Sequence, residues 1–83
     1  MEQTGISESD QLILKRIGAL IRQKRKAVSN NYENFAEMHK INKVTLSKIE
    51  RGENFKFSTF LQILSALDIG LDDFFTELAA LEL

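Results

Sequence analysis

The sequence predicts an all-α domain on three observations. Proline is absent from all 83 residues, no stretch sustains the β-branched alternation of a strand, and apolar residues recur at helical spacing. A first helix is expected over residues 9–27, with Ser9 as N-cap, Ile13, Ile17, Leu20 and Ile21 as the buried stripe, and Val28 packing just past its end. Residues 1–8 read as a disordered, frayed tail. Gly18 costs the helix about 1 kcal/mol relative to alanine.

Ser29, Asn30 and Asn31 make a polar break, and Asn31 is a good N-cap for a second helix over 32–39 that buries Phe35, Ala36 and part of His39. A tight turn over 40–42 leads to a third helix over 43–51. Asn42 caps this helix, Leu46 and Ile49 face inward, and Gly52 follows as its C′ glycine. A fourth helix is expected to end at Leu67, with Phe57 and Ser58 as hydrophobic staple and N-cap and with Phe60, Leu61, Leu64 and Leu67 buried. Gly70 opens a fifth, whose first turn holds Asp72 and Asp73 where negative charge suits the helix dipole. Its apolar positions are Leu71, Phe74, Phe75, Leu78 and Leu81.

A chain of this length forms one domain, assigned to residues 9–83, with a single small core. At about 0.05 to 0.15 kcal/mol per residue its stability is roughly 4 to 12 kcal/mol. With no cysteine, disulfides and cysteine-bearing metal sites are excluded, in keeping with a reducing, cytoplasmic setting. No apolar run reaches the roughly 18 to 20 residues that span a bilayer, and the opening MEQTGISESD does not read as a signal peptide. No membrane association is expected.

The net charge of -1 conceals a segregation. Residues 15–56 carry all eleven lysines and arginines against Glu33, Glu37, Glu50 and Glu53, a net +7, whereas 1–14 carry -3 and 57–83 carry -5. A basic centre between acidic ends is a footprint for a polyanion.

The most informative stretch is 35–52, FAEMHKINKVTLSKIERG. Phe35 (for the usual Leu), Ala36, Ile41, Thr45, Leu46, Ser47, Ile49, Glu50, Arg51 and Gly52 fall in register without a gap on the pattern of the lambda-repressor-like, or Cro/Xre, helix-turn-helix family, which the chain resembles over about 12–78. The resemblance implies a five-helix domain with helices two and three as the helix-turn-helix and helix three as the element that enters the major groove. Only the N-terminal end of such a helix reaches base edges, so the base-contact candidates are Asn42, Lys43, Val44, Ser47 and Lys48. Lysines can donate to guanine O6 and N7, an asparagine can pair with adenine, and a valine can touch a thymine methyl. Arg22, Tyr32 (where the family commonly has Gln) and Thr45 are the phosphate-contact candidates, with Lys24 and Lys26 as possible support.

The resemblance further implies an ion pair between Arg25 and Glu50 tying helix one to helix three, and a close helix crossing at Gly18. Lys40 stands where the family prefers Gly with positive φ, and Phe55 near where relatives often carry Pro, so aromatic packing is expected to hold that loop.

Chemistry of other kinds finds little support. His39 is the sole histidine, no cysteine can join it at a metal, there is no Gly-rich phosphate loop, and Ser47 sits beside Lys48 on a helix face without a base. No enzymatic activity, metal, cofactor or small-molecule substrate is expected. The expected function is a sequence-specific, DNA-binding transcriptional regulator that binds a palindromic operator on double-stranded DNA as a homodimer. Leu71 and Phe74 suffice to close the core, which leaves Phe75, Leu78, Leu81 and Leu83 as dimer-interface candidates. The alternative is an antitoxin or adaptor that uses the same fold to bind a protein partner, with DNA contact secondary or lost.

Overall fold

A computed structural model describes residues 7–81, and these form five helices: α1 (Glu8–Val28), α2 (Tyr32–Met38), α3 (Lys43–Glu50), α4 (Phe57–Ala66) and α5 (Leu71–Ala80). The described residues contain no strand. One core holds them together. Ile17, Leu20 and Ile21 of α1 join Phe35 and Ala36 of α2, Ile41 of the turn, Leu46 and Ile49 of α3, Phe60, Ile63 and Leu64 of α4, Leu67, and Phe74 of α5.

The helix starts show where local polar chemistry acts. The Asn31 Oδ1 accepts the backbone N–H of Glu33 and Asn34 at 3.0 and 3.1 Å, and the Asn42 Oδ1 accepts those of Val44 and Thr45 at 2.9 and 3.0 Å. Each amide thus satisfies two donors that have no partner inside the helix. At α1 the cap is Ser7, whose hydroxyl accepts the N–H of Asp10, and not Ser9 as expected. Helix α1 therefore starts one residue earlier than the sequence suggests, and residues 7 and 8 are not tail; residues 1–6 lie outside the described residues.

Three helix ends share one device. After α2, α3 and α4 the chain turns through a left-handed residue, Lys40 (φ 57°), Gly52 (φ 92°) and Asp68 (φ 58°). In each case the N–H one residue further on reaches back five positions: Ile41 to Ala36, Glu53 to Lys48 and Ile69 to Leu64. This is the Schellman arrangement, in which the reversal satisfies carbonyls left open at the helix end. Glycine serves it without strain only at Gly52. The expected positive φ at Lys40 holds, whereas Asp68 carried no such expectation; aspartate is among the residue types that tolerate the left-handed region better than most.

Gly18 lies where α1 crosses α3. A β-carbon there would run into the backbone carbonyl oxygens of Ile49 and Glu50. The helix-propensity cost of this glycine is therefore the condition for close approach.

Several apolar assignments need correction. Ile13 and Val28 are exposed, because α1 is twice as long as any helix it packs against and both its ends run beyond the core. On α4 the buried stripe is Phe60, Ile63, Leu64 and then Leu67, the i, i+3, i+4, i+7 pattern. Leu61, one residue off that stripe, is exposed. The staple of α4 is also displaced. Lys56 is the N-cap residue, with no side-chain capping bond, and Phe57 is the first helical residue, so Ser58 caps nothing. The residue before the cap is Phe55, which stacks on Phe60 at 5.3 Å between ring centroids, the N′ to N4 contact of a staple. The aromatic packing expected of Phe55 is thus present.

On α5, Leu71 is exposed and Phe74 alone is fully buried. Leu78 and Leu81 are not surplus, for both are partly buried against the core. The Arg16 guanidinium fixes them by donating to the carbonyls of Leu78 and Leu81 at 3.1 and 2.7 Å, closing the end of α5 from a position 62 and 65 residues earlier in the chain.

Candidate nucleic-acid interface

The surface that meets a partner follows from what α3 keeps inside. Leu46 and Ile49 are buried, and this turns Lys43, Val44 and Lys48 outward, with Ser47 half-buried between them. Thr45 is half-buried on the flank. The five base-contact candidates do not stand equally free. The Asn42 Oδ1 is already bound to two backbone N–H groups of its own helix, so a bidentate pair with adenine would cost the cap. The Lys43 ammonium donates to Glu33 Oε2 on α2 at 3.3 Å, both side chains being more than half exposed.

Beside this face lies a pit of about 230 Å³ lined by Arg22, Arg25, Tyr32, Ser47, Glu50 and Arg51. It brings together three sequence-derived candidates, Arg22 and Tyr32 for phosphate and Ser47 for bases, and adds Arg51. Arg51 also pairs with Glu53 at 3.2 Å on the surface. Lys24 points elsewhere, since its ammonium is paired with Glu77 of α5.

The floor of the pit is the expected ion pair. The Arg25 Nε and Nη2 donate to Glu50 Oε2 and Oε1 at 2.9 and 2.8 Å, a two-pronged match of guanidinium to carboxylate, and Nη1 donates to the Ser29 carbonyl at 3.1 Å. Both side chains are nearly dry, at 5 and 8 % exposure. The hydrogen bonds it donates to Glu50 hold the guanidinium more firmly protonated than an ordinary arginine; burial opposes this, and the negative charge of Glu50 adds to it. Stability from the raised arginine value is present at every pH below the ordinary arginine range, so this pair gives no switch near neutrality. Its role is to lock α1 to the end of α3 and so to set the pose of the outward face.

Among the described residues no group of three His, Cys, Asp or Glu side chains is placed to hold a metal. His39 is half-buried at the end of α2, its ring 4.6 Å from that of Phe35, and acts as a packing residue. No helix of the described residues is long and apolar enough to cross a membrane.

A helix-turn-helix family model matches residues 21–74, from the second half of α1 to the buried Phe74 of α5. The chain belongs to the Cro/C1-type helix-turn-helix family. This is a family of DNA-binding regulators and not of enzymes, and the match covers the capped pair α2–α3, the pit and the ion pair beneath it. No curated protein and no solved structure matches the chain.

Two features of the site had no sequence signal strong enough to act on. Glu33 faces Lys43 across ten residues, a spacing that only the helix-turn-helix geometry closes. In the sequence Arg51 stands only as a position of the family pattern, yet the end of α3 places it on the lining of the pit.

Proposed function

We propose that this protein is a sequence-specific transcriptional regulator that binds a palindromic operator as a homodimer, inserting the outward face of α3 into the major groove. The observation that carries the reading is the outward face of Lys43, Val44 and Lys48, held at a fixed angle by the Arg25–Glu50 lock and bordered by the pit of Arg22, Tyr32 and Arg51. Lys43 and Lys48 suit guanine acceptors and Val44 a thymine methyl. Arg22, the Tyr32 hydroxyl and the Thr45 hydroxyl suit phosphates on either side, which set register without reading sequence. The +7 middle of the chain supplies the long-range attraction.

One α3 reads only a few base pairs, so specificity calls for two, placed about 34 to 36 Å apart by a two-fold contact. The surface proposed for that contact moves from the leucines of α5 to its phenylalanine. Phe75 is 42 % exposed and Phe57 56 % exposed, and both rings lie against the buried Phe60, at 6.1 and 5.7 Å, so they form one aromatic patch across α4 and α5. Leu83 lies outside the described residues. The same patch favours a second reading, an antitoxin or adaptor that binds a protein there.

Selection of bound duplexes from a random pool, followed by titration of the winner against salt, separates the two. The regulator reading expects an enriched inverted repeat and affinity that falls steeply with salt; the adaptor reading expects no retention of any duplex even at low salt.

A further inference from the structure

We propose that Glu33 is a specificity-determining residue that acts on DNA through Lys43, by withdrawing the lysine charge from phosphates so that an acceptor on the groove floor is needed to recruit it. The inference rests on the DNA-binding reading of α3 and deepens it. Three observations carry it. Lys43 is the first residue of α3, at the end of the helix that reaches base edges. Its ammonium is bound to the Glu33 carboxylate at 3.3 Å, a contact between the two helices of the motif. The cleft that Lys43 borders on its α2 side is also lined by Glu37, so both acids of α2 share that surface.

Non-specific affinity for duplex counts the cations that replace counterions at phosphates. A lysine already matched by a carboxylate contributes little to that count. Guanine O6 and N7 present a different target, two acceptors in a place the Glu33 carboxylate cannot follow without meeting the phosphate walls. Glu33 therefore weakens binding to any duplex more than it weakens binding to the operator, and the ratio between the two rises. The pair is solvent-exposed and adds little to folding, which leaves its effect on DNA selection as the measurable one.

The test is a double-mutant cycle on the full chain with Glu33→Gln, Lys43→Ala and the pair together, measuring affinity for a random-sequence duplex and for the selected operator between 50 and 200 mM salt. Glu33→Gln is expected to raise random-duplex affinity about five- to tenfold at roughly 0.1 M salt and to steepen the slope against log salt by about 0.9, the worth of one added phosphate contact. Both changes are expected to vanish in the Lys43→Ala background, and operator affinity is expected to change less than random-duplex affinity. Glu37→Gln controls for loss of an acid on the same helix and is expected to raise affinity less, independently of Lys43. An unchanged slope for Glu33→Gln overturns the proposal, as does a gain that survives without Lys43 or that Glu37→Gln matches. Failure of the wild-type protein to bind either duplex at 50 mM salt is a separate result, which overturns the DNA-binding reading itself.

Discussion

The helix-turn-helix unit and the α4–α5 pair are built on different physics. In α2–α3 both helix starts are closed by an asparagine side chain, and the outer face of α3 is polar except for Val44. In α4–α5 neither start has a side-chain cap, and the order comes from rings: Phe55 on Phe60, Phe60 edge-on to Phe74 at 5.3 Å, and Phe57 and Phe75 flanking them. The first unit spends its side chains on local bonds that leave a surface for a partner. The second spends them on burial, in a core that also takes Phe35, Ala36, Leu46 and Ile49 from the first and that α1 shares.

The comparison breaks if the two kinds of interaction turn out to be worth the same. Phe60→Ala is expected to cost about 3 to 5 kcal/mol, since it empties the centre of the aromatic cluster, and to approach the limit of stability for a domain of this size; Asn42→Ala is expected to cost about 1 kcal/mol. Chemical denaturation of both variants checks this, and equal losses would erase the distinction.

Next in size is the lock between the regions of the motif. Glu50→Ala strands the buried Arg25 charge and is expected to cost about 3 kcal/mol or somewhat more, whereas Glu53→Ala, whose bond to Arg51 is exposed, should stay within about 0.5 kcal/mol. A cycle between Arg25 and Glu50 that shows no coupling would remove the lock from the account.

The smallest effects concern the shared helix ends. Lys40→Gly and Asp68→Gly relieve a left-handed backbone and are each expected to stabilise by a few tenths to about 1 kcal/mol, the relief being offset in part by the freedom glycine gains in the unfolded chain. Melting temperature decides the sign, and a loss at both sites would show that these side chains hold their turns by contacts of their own.

The same division explains how much of the molecule was legible in its sequence. Asn31, Asn42 and Gly52 act on residues two to four positions away, so their roles follow from local pattern, and the helix-turn-helix was readable nearly residue by residue. The ion pair at Arg25 and Glu50 followed from family resemblance. Misreadings gathered where the partner is distant. The sequence pattern favours Leu61 over Ile63 as the buried residue, because the phase of α4 is set by the shared core and by its packing on α5. Leu78 and Leu81 looked surplus because the arginine that closes the end of α5 sits on α1. The cap of α4 was placed two residues late because the staple uses Phe55 and not Phe57. Within the candidate site the pairing of Glu33 with Lys43, which the sequence does not suggest, is again a contact between separate helices.

The central claim is that the outward face of α3 reads bases, and Lys48 tests it most directly because its side chain is exposed and stands clear of the Asn42 cap and of the bond between Lys43 and Glu33. The measurement is the affinity of Lys48→Ala for the selected operator, for operators altered at single base pairs, and for random duplex, alongside its melting temperature. The account expects an unchanged melting temperature, a loss of about 1 to 3 kcal/mol on the operator, and relaxed preference at one or two positions of each half-site. A folded Lys48→Ala that binds the operator as tightly and as selectively as the wild type would contradict it.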